Sequence, residues 1–269
     1  MKEPATAHEL QEHMLWTYYG LRVGLAAIGI ALPILVVVAG GVLHDAGLER
    51  SISAYYHTPP KLFWFTTRDI FVGGLLAVAA CLYLYKGYSN KENVALNLAG
   101  MFAALVALLP TAAGGQPSGL ISKLHATSAV LFFLCIAYVS LARSRDTLPL
   151  LPPARRRRYD RLYKSTGWAM ILSPAAAVVL SLPFLASTQV NTVKFWVEAL
   201  AVWAFAAYWI VKTGEMREST AERRALDAEL TRAVVAPVPE MAVAGGRAQR
   251  RKGRHVEAIV PASQPAGIP

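Results

Sequence analysis

The run Leu21 to Leu43, LRVGLAAIGIALPILVVVAGGVL, decides the fold of this chain. A helix needs about 20 apolar residues to cross a hydrocarbon core of about 30 Å. This run exceeds that length and carries one charge, Arg22, at its start. Pro33 lies inside it, which a membrane span tolerates where neighbours re-satisfy the freed carbonyl. Five further runs read the same way: Asp69 to Tyr85, Asn93 to Leu109, Ile121 to Ala142, Gly167 to Ala186 and Val193 to Val211. The expected fold class is therefore all-α, a polytopic bundle of six transmembrane helices.

The composition agrees. Of 269 residues, 55% are hydrophobic and 16% charged, whereas a soluble domain carries roughly 25% charged residues. A charge at the bilayer centre costs several kcal/mol, which accounts for the deficit. The net charge of +10 raises the question of nucleic acid, but the basic residues are confined to one loop and the C-terminal tail, so no specific nucleic-acid partner is expected. Cys81 and Cys135 lie inside apolar runs and read as packing residues, not a disulfide framework. Met1 to Glu12 is polar and mixed in charge, so no cleavable signal peptide is expected and the first span would serve as an uncleaved anchor.

Charge asymmetry orients the bundle. The loop between the fourth and fifth runs carries Arg143, Arg145, Arg155, Arg156, Arg157, Arg158, Arg161 and Lys164. Lys212, Arg217, Arg223 and Arg224 follow the sixth run, and Lys86 and Lys91 lie between the second and third. All fall on one side if the N-terminus is cytoplasmic, as the positive-inside rule requires. The expected organisation is a cytoplasmic segment 1–20, the six-helix domain 21–211, a charged helical extension 212–235 and a basic tail 236–269 too rich in Pro, Gly, Ala and Arg to bury a core. The expected location is a cell membrane of the bacterial inner-membrane type. Membrane lipids are the expected partners, with the basic loop 155–164 and the tail cluster 247–254 against anionic headgroups at about 1 kcal/mol per residue near the surface.

This topology gathers polar residues at the outer face. Ser51-Ile52-Ser53-Ala54-Tyr55-Tyr56-His57 and Arg68-Asp69 lie between the first two spans, Lys123 and His125 enter the fourth, and Glu198 lies about one turn into the sixth. Ionisable groups near membrane depth are functional candidates. The expected ligand-binding set is Ser53, Tyr56, His57, Arg68, Asp69, Lys123, His125 and Glu198. Each also has a structural reading. Asp69 suits the first turn of a helix, Ser53 suits a cap, His125 a packed hydrogen bond, and Glu198 a pair with Lys194 one turn earlier. Asn93 and Asn97, spaced i, i+4, are expected to bond a neighbouring helix.

The Ser53-x-x-x-His57 pattern followed by Asp69 resembles the first part of the signature of alkaline ceramidases and the progestin and adipoQ receptors. By donor type alone, His57, Asp69 and His125 would supply three zinc ligands with one position open for water. The resemblance matches Ser53, His57 and Asp69, and implies metal-dependent hydrolysis of a lipid amide or ester, with Ser53 as the catalytic-site hydroxyl that positions or polarises the substrate. The family's H-x-x-x-H pair has no counterpart in the sixth run. A broader resemblance, to six-helix membrane proteins of the DRAM and Sfk type and related bacterial families, rests on Ser51-Ile52-Ser53, Arg68-Asp69-Ile70-Phe71-Val72-Gly73, Asn97-Leu98-Ala99-Gly100, Lys123-Leu124-His125 with Phe132-Phe133, and Trp196-Val197-Glu198. It implies a regulator or lipid-associated protein without a resident cofactor. The leading expectation is thus a membrane protein that binds a lipid headgroup or small ligand in an outer polar pocket. The zinc hydrolase comes second. A transporter comes third, for want of an inverted repeat or a mid-span charge.

Overall fold

The computed structural model describes residues 7–44, 47–57, 66–112, 119–182, 192–224 and 226–228. Residues 1–224 form one compact unit and 225–269 another. The tail 236–269, with the cluster 247–254, lies outside the described residues, as do Pro183, Gln189 and Asn191.

Among the described residues, six long helices belong to the first unit: α1 (Ala7–His44), α2 (Thr67–Leu84), α3 (Asn90–Leu108), α4 (Leu120–Tyr138), α5 (Pro153–Val179) and α6 (Thr192–Ser219). A short 3-10 helix, Ile52–His57, precedes α2, and a π turn, Val139–Arg143, continues α4. The fold is all-α, with no strand among the described residues. Among the described residues, five stretches are long and apolar enough to cross a membrane: Glu9–Val42, Thr67–Leu84, Asn90–Leu108, Leu120–Leu150 and Thr192–Ser219. The chain is a multi-pass membrane protein. Its outward surface is apolar, with Ile34, Leu35, Val38 and Val42 about half exposed or more, as lipid contact allows and water would not.

The helices are arranged as a ring in chain order, each packed on its neighbours, and α6 closes on α1. Every neighbouring pair is antiparallel. Gly74 of α2 meets Leu32 of α1, and Tyr85 beyond α2 meets Arg22. Gly100 of α3 lies against the backbone of α2, where an added Cβ would stand 2.9 Å from the Ala79 carbonyl oxygen. Ser140 Oγ, beyond α4, donates to the Tyr163 carbonyl of α5 at 2.9 Å. Arg155 pairs with Glu218, and Gly214 faces Tyr159, so α5 runs down α6. Trp203 of α6 donates its indole N–H to the Ile30 carbonyl of α1 at 3.3 Å. Near the start of α1, Gln11 Nε2 donates to the Arg223 carbonyl and Glu12 pairs with the Arg223 guanidinium. Both ends of the described bundle therefore lie together.

The core between the helices is aromatic and aliphatic: Leu25, Leu82, Leu96, Ile136, Met170, Phe205 and Trp209 are all within 2% of complete burial. Cys81 and Cys135 are free thiols of intermediate exposure.

Several helix bounds differ from the sequence expectation. Helix α1 starts at Ala7, before Leu21, because the intervening Glu, Gln and Tyr residues are sound helix formers. Helix α5 starts at Pro153, where Pro at the first position is favoured, and includes the arginine block as exposed helix surface. In the sequence reading the sixth apolar run ends at Val211, with a helical extension from residue 212. Helix α6 continues to Ser219, with Lys212, Glu215, Met216 and Ser219 buried. Thr220 then takes φ 52°, and a helical turn over 221–224 folds back onto α1.

Candidate functional site

At the end of the bundle that carries residues 47–57, the polar residues picked from the sequence are engaged by local structure. Ser51, not Ser53, caps the 3-10 helix: its Oγ accepts the Ala54 N–H at 3.1 Å, and Ser53 Oγ lies 3.2 Å from it. Glu198 reaches from α6 to accept the Ile52 N–H at 2.9 Å, and Lys194 lies 3.7 Å from its other oxygen. This carboxylate thus ties the 3-10 helix to α6. Tyr55 is fully buried; its hydroxyl donates to the Gly47 carbonyl and accepts the Glu49 N–H. Burial raises its phenol above the ordinary range.

The two histidines meet the same strip of backbone. His57 Nε2 donates to the Thr111 carbonyl and His125 Nδ1 to the Leu109 carbonyl, each at 2.7 Å. Thr111 Oγ1 lies 3.5 Å from the Ser53 carbonyl it faces. Asp69 does not join them. Its carboxylate accepts both the N–H and the hydroxyl of Thr66, at 2.7 and 2.9 Å, completing a capping box at the start of α2. Arg68 stacks over the Tyr56 ring at 4.4 Å, and Lys123 is exposed on α4. The expected zinc set His57, Asp69 and His125 is therefore not assembled, since helix capping and carbonyl bonding take its members separately. Among the described residues no three His, Cys, Asp or Glu side chains gather as metal ligands would. The expected bonds of Asn93 and Asn97 are not made either: both Oδ1 atoms are buried without a partner among the described residues.

The opposite end holds what the sequence reading missed. Arg22, Glu92, Lys212 and Glu215 are each exposed by 1% or less, and they belong to three different helices, α1, α3 and α6. Arg22 donates through both terminal nitrogens to Glu222, which is 16% exposed, and through Nη1 to the Tyr85 hydroxyl at 3.3 Å. Lys212 Nζ lies 3.4 Å from Glu215 Oε2 and 3.5 Å from Thr147 Oγ1, with the Tyr88 ring 5.4 Å away. Tyr163 donates its hydroxyl to the same Glu215 oxygen at 2.9 Å. Glu92 begins α3 in a Ser89-x-x-Glu92 cap: Ser89 Oγ accepts the Glu92 N–H, and Glu92 Oε2 accepts the Tyr88 N–H at 2.9 Å. Tyr85 and Tyr208 both lie edge-on to the Trp209 ring at 5.1 Å, joining the two halves. Burial, and then the nearby Glu222 charge, push the Tyr88 phenol upward.

The cluster is not self-sufficient. Glu92 Oε1, Glu215 Oε1, Arg22 Nε, the Tyr88 hydroxyl and the Trp209 indole N–H are buried without a hydrogen-bond partner among the described residues. Two cations and three carboxylates here face effective desolvation penalties of several kcal/mol each. A packed apolar end would avoid that cost, and native folds retain such costs mainly at functional sites. The two grooves on the outer surface offer no comparable chemistry. One of about 600 Å³ lies between α2 and α3, lined by Tyr83, Asn97 and Met101 among others, and one of about 270 Å³ between α4 and α5 is wholly apolar in residue type.

Residues 27–212 match the family model DUF998, described as a protein of unknown function. The match covers more than half of the chain, so the chain belongs to the DUF998 family. No curated protein and no solved structure matches it.

Proposed function

We propose that this DUF998 protein crosses the membrane six times with both termini cytoplasmic, and binds a lipid headgroup or small polar ligand in the charged cluster around Arg22, Lys212, Glu92 and Glu215. The observation that carries the binding reading is the set of buried, unpartnered polar atoms in that cluster, which present donors and acceptors together. The site thus moves from the Ser53 end, where side chains are occupied by capping and backbone bonds, to the end where Gln11 and Glu12 meet Arg223.

The six-span count rests on direction. Helix α1 is antiparallel to α6, so an even number of crossings separates them. Helix α5 is then the sixth, its basic first half at the charged end and its apolar second half beside the middle of α6. The exposed block Arg155 to Arg158 supports a cytoplasmic headgroup position for that end under the positive-inside rule, and anionic lipid is the proposed partner of the basic loop 155–164 and of the tail cluster 247–254. The bacterial inner membrane remains the proposed location.

The test is native mass spectrometry of the full chain released from nanodiscs. A discrete bound mass is expected, reduced at least tenfold in Glu92→Gln/Glu215→Gln. An unchanged bound mass in that variant overturns the reading. Transport is the second reading, favoured by the same intramembrane carboxylates flanking Lys212. Solute flux in sealed vesicles that depends on Glu215 would make it the first. The hydrolase reading loses its metal set, as His57, Asp69 and His125 stand apart.

A further inference from the structure

We infer that Arg22 is a phosphate-binding residue, that the carboxylate of Glu222 occupies the phosphate position in the structure described, and that the turn at Thr220 lets the 221–224 segment leave when phosphate binds. This rests on the binding reading above and names the ligand class and its gate.

The first ground is geometry. A guanidinium offers a planar fork that suits two oxygens of a carboxylate or a phosphate equally. Both terminal nitrogens of Arg22 are taken by Glu222. A carboxylate has only two oxygens, and the surrounding donors exceed them. Arg22 Nε, the Tyr88 hydroxyl and the Trp209 indole N–H stay unpartnered among the described residues, and the Tyr85 hydroxyl already lies 3.3 Å from Arg22 Nη1. A phosphate group brings three or four acceptor oxygens where the Glu222 carboxylate brings two.

The second ground is how Glu222 is held. It is the most exposed charged member of the cluster, at 16%. It follows Thr220, a β-branched residue at φ 52°, a conformation that is strained for a residue other than glycine. Beyond Glu222, the turn is fastened to α1 by the exposed pair Arg223–Glu12 and the Gln11 bond to the Arg223 carbonyl. A strained turn with exposed fastenings is drawn from the low-stability part of a fold. Arg22, by contrast, is fixed in the middle of α1 and 1% exposed.

The third ground is position. The cluster lies at the end that bears Arg155 to Arg158, the level of phosphate headgroups in the proposed orientation. Lipid phosphate and free phosphate share this chemistry, and the test separates them.

The experiment is thermal unfolding of the full-length protein in detergent, at constant ionic strength, with inorganic phosphate replacing chloride. In Glu222→Gln the position is vacated by the competing charge, and phosphate at about a hundred times Kd is expected to raise the midpoint by roughly 5–10 °C. Arg22→Gln/Glu222→Gln should show no shift. A shift in Glu222→Gln only in nanodiscs containing phosphatidic acid, and not with inorganic phosphate, assigns the group to a lipid. Equal shifts in the two variants, or none under either condition, overturn the inference. If Glu222→Gln does not fold, trypsin cleavage after Arg223 and Arg224 in the otherwise native chain replaces it. Phosphate or phosphatidic acid should speed that cut several-fold, and not in Arg22→Gln; an unchanged rate overturns the inference. Ligand retention that still depends on Glu92 and Glu215 after such a failure would leave the broader binding reading standing.

Discussion

Arg22 and Glu222 lie 200 positions apart and join through a two-pronged ion pair inside the bundle. Removing one side of a buried pair costs about 3–5 kcal/mol, because the other is stranded. The two sides are not equivalent here. Glu222→Ala strands a guanidinium that is 1% exposed, whereas Arg22→Ala leaves a carboxylate that can turn to water. In phosphate-free buffer Glu222→Ala should therefore be the more destabilising, as read by unfolding in mixed micelles. The reverse order would contradict the burial asymmetry.

Lys212, Glu215 and Tyr163 form the second half of the cluster. Lys212→Met should cost about 3–5 kcal/mol by leaving Glu215 buried beside only a phenol. Adding Glu215→Met should recover most of that loss. Tyr163→Phe should cost about 1–3 kcal/mol, the desolvation of one unmet acceptor. Double-mutant cycles among these variants give the coupling directly.

Gly100 and Gly73 provide a matched pair on neighbouring helices. An added methyl at Gly100 meets the Ala79 carbonyl oxygen at 2.9 Å, while at Gly73 it meets nothing within 4 Å. Gly100→Ala should lose about 1–3 kcal/mol through forced separation of α2 and α3. Gly73→Ala should be neutral or slightly stabilising. The same unfolding assay distinguishes them.

Glu198 anchors the 3-10 helix through the Ile52 N–H. Glu198→Gln keeps an acceptor for that bond and should retain most of the stability. Glu198→Ala leaves the Ile52 N–H unmet and should cost about 1–3 kcal/mol. Hydrogen exchange at Ile52, faster in the alanine variant alone, checks the assignment.

Topology can be read by labelling single cysteines in a Cys81→Ser/Cys135→Ser background. Positions 156 and 224 should react with an impermeant thiol reagent only after the membrane is opened, and position 57 before. Reaction of 156 and 224 from opposite sides would exclude an even number of crossings.

Much of the bundle was legible in the chain. The apolar runs marked the helices, and Asp69 in a first turn marked the start of α2; the Ser89-x-x-Glu92 cap that starts α3 lay outside the sequence expectation. The site was not legible, because salience of residue type pointed the wrong way. Ser53, His57 and Asp69 look like chemistry, yet each is taken by a local bond. Arg22, Lys212 and Glu222 look like topogenic or surface charges, and only the ring brings them together. The available signals were faint: an arginine inside the first apolar run, and Lys212 and Glu215 one turn apart on a helix flanked by Tyr208 and Trp209. The turn at Thr220 had no signal, since glycine is the residue expected at positive φ.

Ring closure by α6 against α1 also orders the birth of the molecule. The first helix enters the bilayer long before its last neighbour has been synthesised, and until then Arg22 sits in a nascent chain with no counter-charge from the C-terminal side. Glu222 emerges only after all six helices have been made. A chain that stops short of it leaves a buried guanidinium without that counter-charge, a costly arrangement. The pair thereby forms only once the first compact unit has been synthesised, and joins its last turn to its first helix.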